Sequence, residues 1–205
     1  KTMRLFAFLI LVIVFTSCNS QNKRAIPGET PYQKELNMMY MDASQSPLKK
    51  RDLKKFTGLD FFAIDSSFVV NATFTRVENA PIFEMPTTTE RKPLYKEYGK
   101  LQFALNNKKC ELTVYQSQEE ARDEKYKDYL FLPFTDDTSG NESYGGGRYM
   151  DLKTYDIKNN SVILNFNNTY NPYCAYNDNY SCPLVPRKNH LDVEVKAGVK
   201  KFEKH

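Results

Sequence analysis

The sequence predicts an α+β domain that is mainly β. Two N-terminal helices precede a largely antiparallel sheet forming a small barrel or sandwich, with one short helix inserted. Helix-start signals occur twice before Gly58, whereas short runs rich in Val, Phe, Leu and Thr dominate after Phe61. These runs alternate apolar with polar residues, and turn residues separate them. Asn106-Asn107 lies between two such runs and marks a hairpin.

Each element has its own signal. Thr30-Pro31 with Gln33 is an N-cap, a first-turn proline and a capping-box partner. It predicts a helix over 31–44 with Leu36, Met39 and Tyr40 on one face. Ser46-Pro47 repeats the signal, and Leu48, Leu53 and Phe56 share one side of a second helix that Gly58 ends. Strands are expected at 67–75, around Leu101–Leu105 and Leu112–Tyr115, then at Tyr129–Phe134, Tyr149–Leu152, Val162–Phe166 and Leu191–Val195. Ser117 with Glu120 caps the inserted helix, expected at 118–127. A barrel or sandwich would manage the exposed edges of such a sheet.

The chain has 205 residues, 40% hydrophobic and 26% charged. That composition excludes a disordered chain and a multispanning membrane protein. Without Lys1 and Arg4 the 29 basic residues fall to 27, against 25 acidic ones. This excess is too small for electrostatic capture of nucleic acid, so no nucleic-acid partner is expected. The Lys49–Lys55 cluster reads as the solvated face of a short helix.

The first residues carry a targeting pattern. Lys1 and Arg4 precede an apolar run from Leu5 to Phe15, followed by Thr16, Ser17 and Cys18. The run is too short to span a bilayer, which takes roughly 20 residues, and has the parts of a signal peptide. The small residues before Cys18 resemble the bacterial lipobox, with Phe15 where leucine is usual. Residues 1–17 are therefore read as a signal peptide and 18–30 as a lipidated Cys18 with a flexible tether. Residues 31–205 are read as one β-rich domain. Asn19 after the cysteine suits an outer-membrane anchor facing the periplasm. The membrane is then a partner through the lipid; plain secretion is the alternative.

Two segments do not look like scaffold. Residues 135–149 carry almost no apolar side chains and include Gly145, Gly146 and Gly147 ahead of Arg148. Such a turn can present backbone N–H groups to an anion, with Arg148 as a planar donor fork. It also reads as a flexible hairpin loop, and it lacks the Lys-Ser/Thr ending of a P-loop. Residues 165–186 carry Tyr170, Tyr173, Tyr176 and Tyr180, with Asn171 and Asn177 among six asparagines. Pro172 excludes a continuous helix, so these tyrosines are not a helical stripe. They line a polar pocket or stack on the surface. Cys174 and Cys182 lie in the same segment. A disulfide is the default for an exported chain and would stabilise it by about 2.6 kcal/mol. A nucleophilic thiol is the other reading, with His190 the nearest base in sequence. A metal site is disfavoured, because the spacing is not that of zinc ligands. No cofactor is implied. Cys110 reads as a small buried hydrophobe on a strand.

Phe83–Thr88 (FEMPTT), Tyr129–Asp136 (YLFLPFTD), Tyr144–Leu152 (YGGGRYMDL) and Asn165–Pro183 (NFNNTYNPYCAYNDNYSCP) together resemble one family. It is the bacterial and archaeal domain of unknown function 1684, and the similarity spans about residues 32–200. The resemblance implies one β-rich domain of this length and no settled activity. The family pattern has arginine where this chain has His190, so it implies no His-dependent chemistry.

Three functions compete. A binding module would hold a small polar or anionic ligand among Gly145, Gly146, Gly147, Arg148, Asn171, Tyr173, Tyr176 and Asn177. A hydrolase-like enzyme would use the same cleft, with Cys174, Asp136 or Glu84 as catalytic group. An envelope assembly factor would have no pocket. The first two require the glycine turn and the Tyr/Asn segment to meet in one hollow.

Overall fold

The computed structural model describes residues 26–203. The signal peptide and Cys18 lie outside the described residues. Among these no helix is long and apolar enough to cross a membrane.

The helices are α1 (Pro31–Met41) and α2 (Lys50–Lys55); the strands are β1 (Val69–Arg76), β2 (Phe83–Glu84), β3 (Leu94–Leu105), β4 (Lys108–Ser117), β5 (Tyr129–Asp136), β6 (Arg148–Lys153), β7 (Ser161–Asn165) and β8 (His190–Leu191). The capping box forms as the sequence predicts, with Gln33 N–H donating to Thr30 Oγ1 at 3.2 Å. Helix α2 starts later than expected. Ser46 Oγ accepts from Leu48 N–H in a local turn instead of opening a helix.

The sheet runs β6-β5-β4-β3-β1-β7, with β2 added to β3 and β8 to β5. It is antiparallel except for the short β5–β8 pairing. It curls into a half-barrel and is neither closed nor a sandwich. A bulge between Glu97 and Gly99 breaks the β3–β4 register, as strongly bent sheets require. Asn106 and Asn107 both have positive φ, 49° and 61°, the two-residue turn expected at that hairpin. Two further expectations are corrected. The inserted helix shrinks to one turn, Glu120–Arg122. The strand at 191–195 pairs only at His190–Leu191, although Val193, Val195 and Ala197 continue into the core.

Side chains alternate between the two faces of a strand, and here both faces are covered. On β5, Leu130, Leu132 and Phe134 enter the main core together with Met150 and Leu152 of β6. The alternate residues Phe131 and Tyr149 face a second cluster with Met85, Tyr95 and Tyr115. Helix α1 and the 170–183 segment lie over this second face. Tyr40 and Tyr176 meet edge to face at 5.0 Å and join the helix to that segment.

Candidate functional site

A cavity of about 810 Å³ opens between the second sheet face, α1 and the 170–183 segment. That volume suits a small organic ligand. Seven tyrosines line it: Tyr32 from α1, Tyr95 and Tyr129 and Tyr149 from the sheet, and Tyr170, Tyr173 and Tyr180 from the segment. Several meet at steep angles. Tyr149 and Tyr170 are 6.0 Å apart at 85°, and Tyr173 and Tyr180 are 5.2 Å apart at 68°. Leu36, Met38 and Met39 add an apolar wall from the helix.

The polar centre of the cavity is Asp151 of β6. Tyr129 Oη donates to Asp151 Oδ1 at 2.8 Å and Tyr170 Oη donates to the same oxygen at 2.5 Å. Burial, and then the Asp151 carboxylate, hold the Tyr129 hydroxyl well above the ordinary tyrosine range; burial, then Tyr129 and Asp151, do the same for Tyr170. Both therefore remain donors at neutral pH. Tyr149 Oη is anchored on the Pro183 carbonyl, which fixes the segment to the sheet.

The charges on the lining are unequal. Among the described residues Glu35, Asp42, Glu119, Glu120 and Asp151 contribute five carboxylates to it, and Arg91 is the single guanidinium. Arg91 is already engaged, with Nε donating to Ser181 Oγ at 3.2 Å and Nη2 to the Ser181 carbonyl at 3.1 Å. Burial raises the Glu120 carboxyl; Arg91 opposes this and Glu119 adds to it.

Of the residues read from sequence as a ligand site, Tyr173 lines the cavity and the others do not. Arg148 and Asp136 point to the opposite face and form an ion pair at 3.0 Å with both side chains 0% exposed. Arg148 Nη2 also donates to the Val195 carbonyl at 2.8 Å, and Nη1 donates to that of Ala197. Asp136 accepts from Val195 N–H at 2.7 Å and from Thr138 Oγ1 at 2.8 Å. The guanidinium that was to hold an anion, and the carboxylate that was to do chemistry, thus neutralise each other in the core. Gly145 and Gly146 are exposed; Gly147 is buried at φ +86°, a turn residue beneath Phe134. The expectation that the glycine–arginine turn meets the Tyr/Asn segment in one hollow is therefore corrected. Strand register puts the turn's arginine on the other side of the sheet.

Tyr176 is fully buried behind the cavity wall and accepts from Asn171 Nδ2 at 3.3 Å. Asn177 closes a local turn, its Oδ1 accepting from Asn179 N–H at 3.1 Å. Glu84 is exposed and pairs with Lys92 at 3.6 Å. Cys174 and Cys182 are free thiols in contact with each other, and Cys182 is part of the lining. Cys110 is free and only half-buried. His190 bonds Thr135 Oγ1 at 3.0 Å and is not part of the lining. Among the described residues no three His, Cys, Asp or Glu side chains converge to hold a metal.

Most of the lining lies outside the two segments' candidate residues: Tyr32, Arg91, Tyr95, Tyr129, Tyr149 and Asp151. A usable signal existed for the last three. In YLFLPFTD and RYMDLK, the positions opposite in parity to the Leu and Met residues carry Tyr129, Phe131, Tyr149 and Asp151.

Comparison with known proteins agrees with the fold. No curated protein matches the chain. A solution NMR structure of an uncharacterised protein from Haloarcula marismortui is similar, with 34% identity and a TM-score of 0.66. The match covers 84% of this chain and 92% of that one. The model of the family described as "Protein of unknown function (DUF1684)" matches residues 54–200, and the chain belongs to that family.

Proposed function

We propose that this domain is a binding module for a small organic cation, held in the tyrosine-lined cavity with Asp151 as its counter-charge. One observation carries the reading: five carboxylates and seven tyrosines line the cavity, against one guanidinium that is already hydrogen-bonded. An anion would enter a negative field there. A cation gains from the carboxylates and from the electron-rich tyrosine faces, about 0.5–2 kcal/mol for each well-placed ring. Ring pairs set at steep angles form corners, as walls around a compact cation would. The anionic ligand expected from the glycine–arginine turn loses its support, since Arg148 is spent in the core.

The test is calorimetry of the purified protein with choline and with its tert-butyl isostere, which has the same shape and no charge. Binding of choline at least about tenfold tighter than the isostere supports the proposal. Equal affinities, or stronger binding of a carboxylate of the same size, refute it.

The same proposal places the module at the cell envelope, tethered through lipid on Cys18 and facing the periplasm. In cells fed a labelled fatty acid, the label should follow the full chain and disappear in Cys18→Ala. An unlabelled wild-type chain in the soluble fraction would contradict the tether and leave the cavity reading untouched.

A further inference from the structure

We infer that Cys174 and Cys182 are a thiol–disulfide exchange site in the cavity wall, reacting with small disulfides that enter the cavity. The inference goes beyond the cation reading and does not depend on it.

The geometry supplies what exchange needs. Cys182 lines the cavity, and the single turn Tyr173–Ala175 carries Cys174 against it. The Cys174 N–H donates to Cys182 Sγ at 3.1 Å. The Tyr144 hydroxyl lies 3.9 Å from Cys174 Sγ, and Cys182 has its own anchor. That anchor is Thr88: its Oγ1 accepts from Cys182 N–H at 3.1 Å, and its N–H donates to the Cys182 carbonyl at 2.9 Å. The two thiols are therefore hydrogen-bonded neighbours, with Cys182 held by the backbone of Cys174 and by Thr88. Donors surround the pair, so it loses its first proton more readily than an isolated thiol. The thiol of Cys182 lowers Cys174 to about 7 against burial, with the Tyr144 hydroxyl helping; the hydrogen bond to Cys174, and then burial, hold the shared proton on Cys182, well above the ordinary thiol range. Burial and the neighbouring thiolate hold Tyr144 itself protonated, at about 12. A singly ionised dithiol sharing one proton is the reactive form in exchange.

The step balances with a small disulfide as oxidant. Cys182 attacks one sulfur of the entering disulfide as its proton passes to Cys174. The entering S–S bond breaks, a mixed disulfide forms on Cys182, and one small thiolate leaves. Cys174 then gives its proton to that thiolate and attacks Cys182 Sγ. The mixed disulfide breaks, the second small thiolate leaves and takes a proton from water, and the Cys174–Cys182 bond closes. The protein loses two electrons and the small disulfide gains them.

The experiment uses the full chain, oxidised glutathione as probe, and peptide mass spectrometry. The wild type should give a Cys174–Cys182 linked peptide under native conditions. It should form at least about tenfold faster than Cys110 is modified. Dithiothreitol should restore both thiols with the chain still folded by circular dichroism. Cys174→Ser should stop at a glutathione adduct on Cys182. Three results would overturn the inference: a pair that stays reduced while folded, one that links only in urea, or a link that dithiothreitol opens only on unfolding. The wild-type readout stands even if a variant fails to fold.

Discussion

Replacing Arg148 with methionine keeps much of the side chain's reach and deletes its charge. In the wild type both members of the Arg148–Asp136 pair are 0% exposed, and the guanidinium also serves the carbonyls of Val195 and Ala197. In the variant Asp136 keeps its donors from Val195 and Thr138 but loses its counter-charge. Two buried carbonyls lose a donor as well. Breaking a buried pair from one side costs about 3–5 kcal/mol. With a denaturant slope of about 2 kcal/mol per molar, the urea midpoint should fall by roughly 2 M. Arg148→Lys should recover only part of the loss, because one ammonium cannot fork between a carboxylate and two carbonyls. Pairing Arg148→Met with Asp136→Asn should recover more, since no uncompensated charge remains. Urea unfolding followed by circular dichroism reads all three. A midpoint shift below about 0.5 M would refute the buried-pair argument. So would a folded Arg148→Lys protein that loses choline binding, because Arg148 would then be touching ligand.

Three further outcomes are expected. Asp151→Asn should weaken choline binding roughly tenfold by calorimetry. Its amide oxygen still accepts from Tyr129 and Tyr170, so the melting temperature should barely move. Gly147→Ala forces a side chain into a left-handed backbone and places its Cβ 2.5 Å from the Phe134 carbonyl oxygen; about 1–3 kcal/mol of stability should be lost, with choline affinity of the folded protein unchanged. Burial holds the Glu120 carboxyl above its usual 4.5, so the folded state favours the neutral form. Glu120's contribution to stability is then present below the usual value and is lost as pH rises through the raised one. Choline affinity should climb over the same window as the carboxylate forms, and Glu120→Gln should flatten both trends.

The scaffold was legible where local chemistry decides structure. Thr30 and Gln33 announce α1 because the capping box is a local device, and Asn106-Asn107 announces the hairpin because asparagine tolerates positive φ. Helix α2 starts later than its signal because Ser46-Pro47 can cap a turn as easily as a helix. The 118–127 segment holds only one helical turn because Ser117 caps Glu120 and Asp123 and its neighbours then form turns of their own. The site failed for a different reason. Arg148 beside three glycines looks like an anion clamp, yet its parity with Met150 and Leu152 commits it to the core face. Its partner Asp136 comes from a strand whose register no local rule supplies. Tyr32 and Tyr95 join the cavity only through the docking of α1 on the sheet, a long-range event with no local signature.

Nuclear magnetic resonance of the labelled protein during a choline titration tests the central claim most directly. The claim predicts saturable shifts at Met39, Tyr170, Tyr173 and Ser181 around the cavity, with the backbone signals of Gly145, Gly146 and Arg148 unmoved. Shifts concentrated on the glycine–arginine turn, or none at millimolar choline, would contradict it.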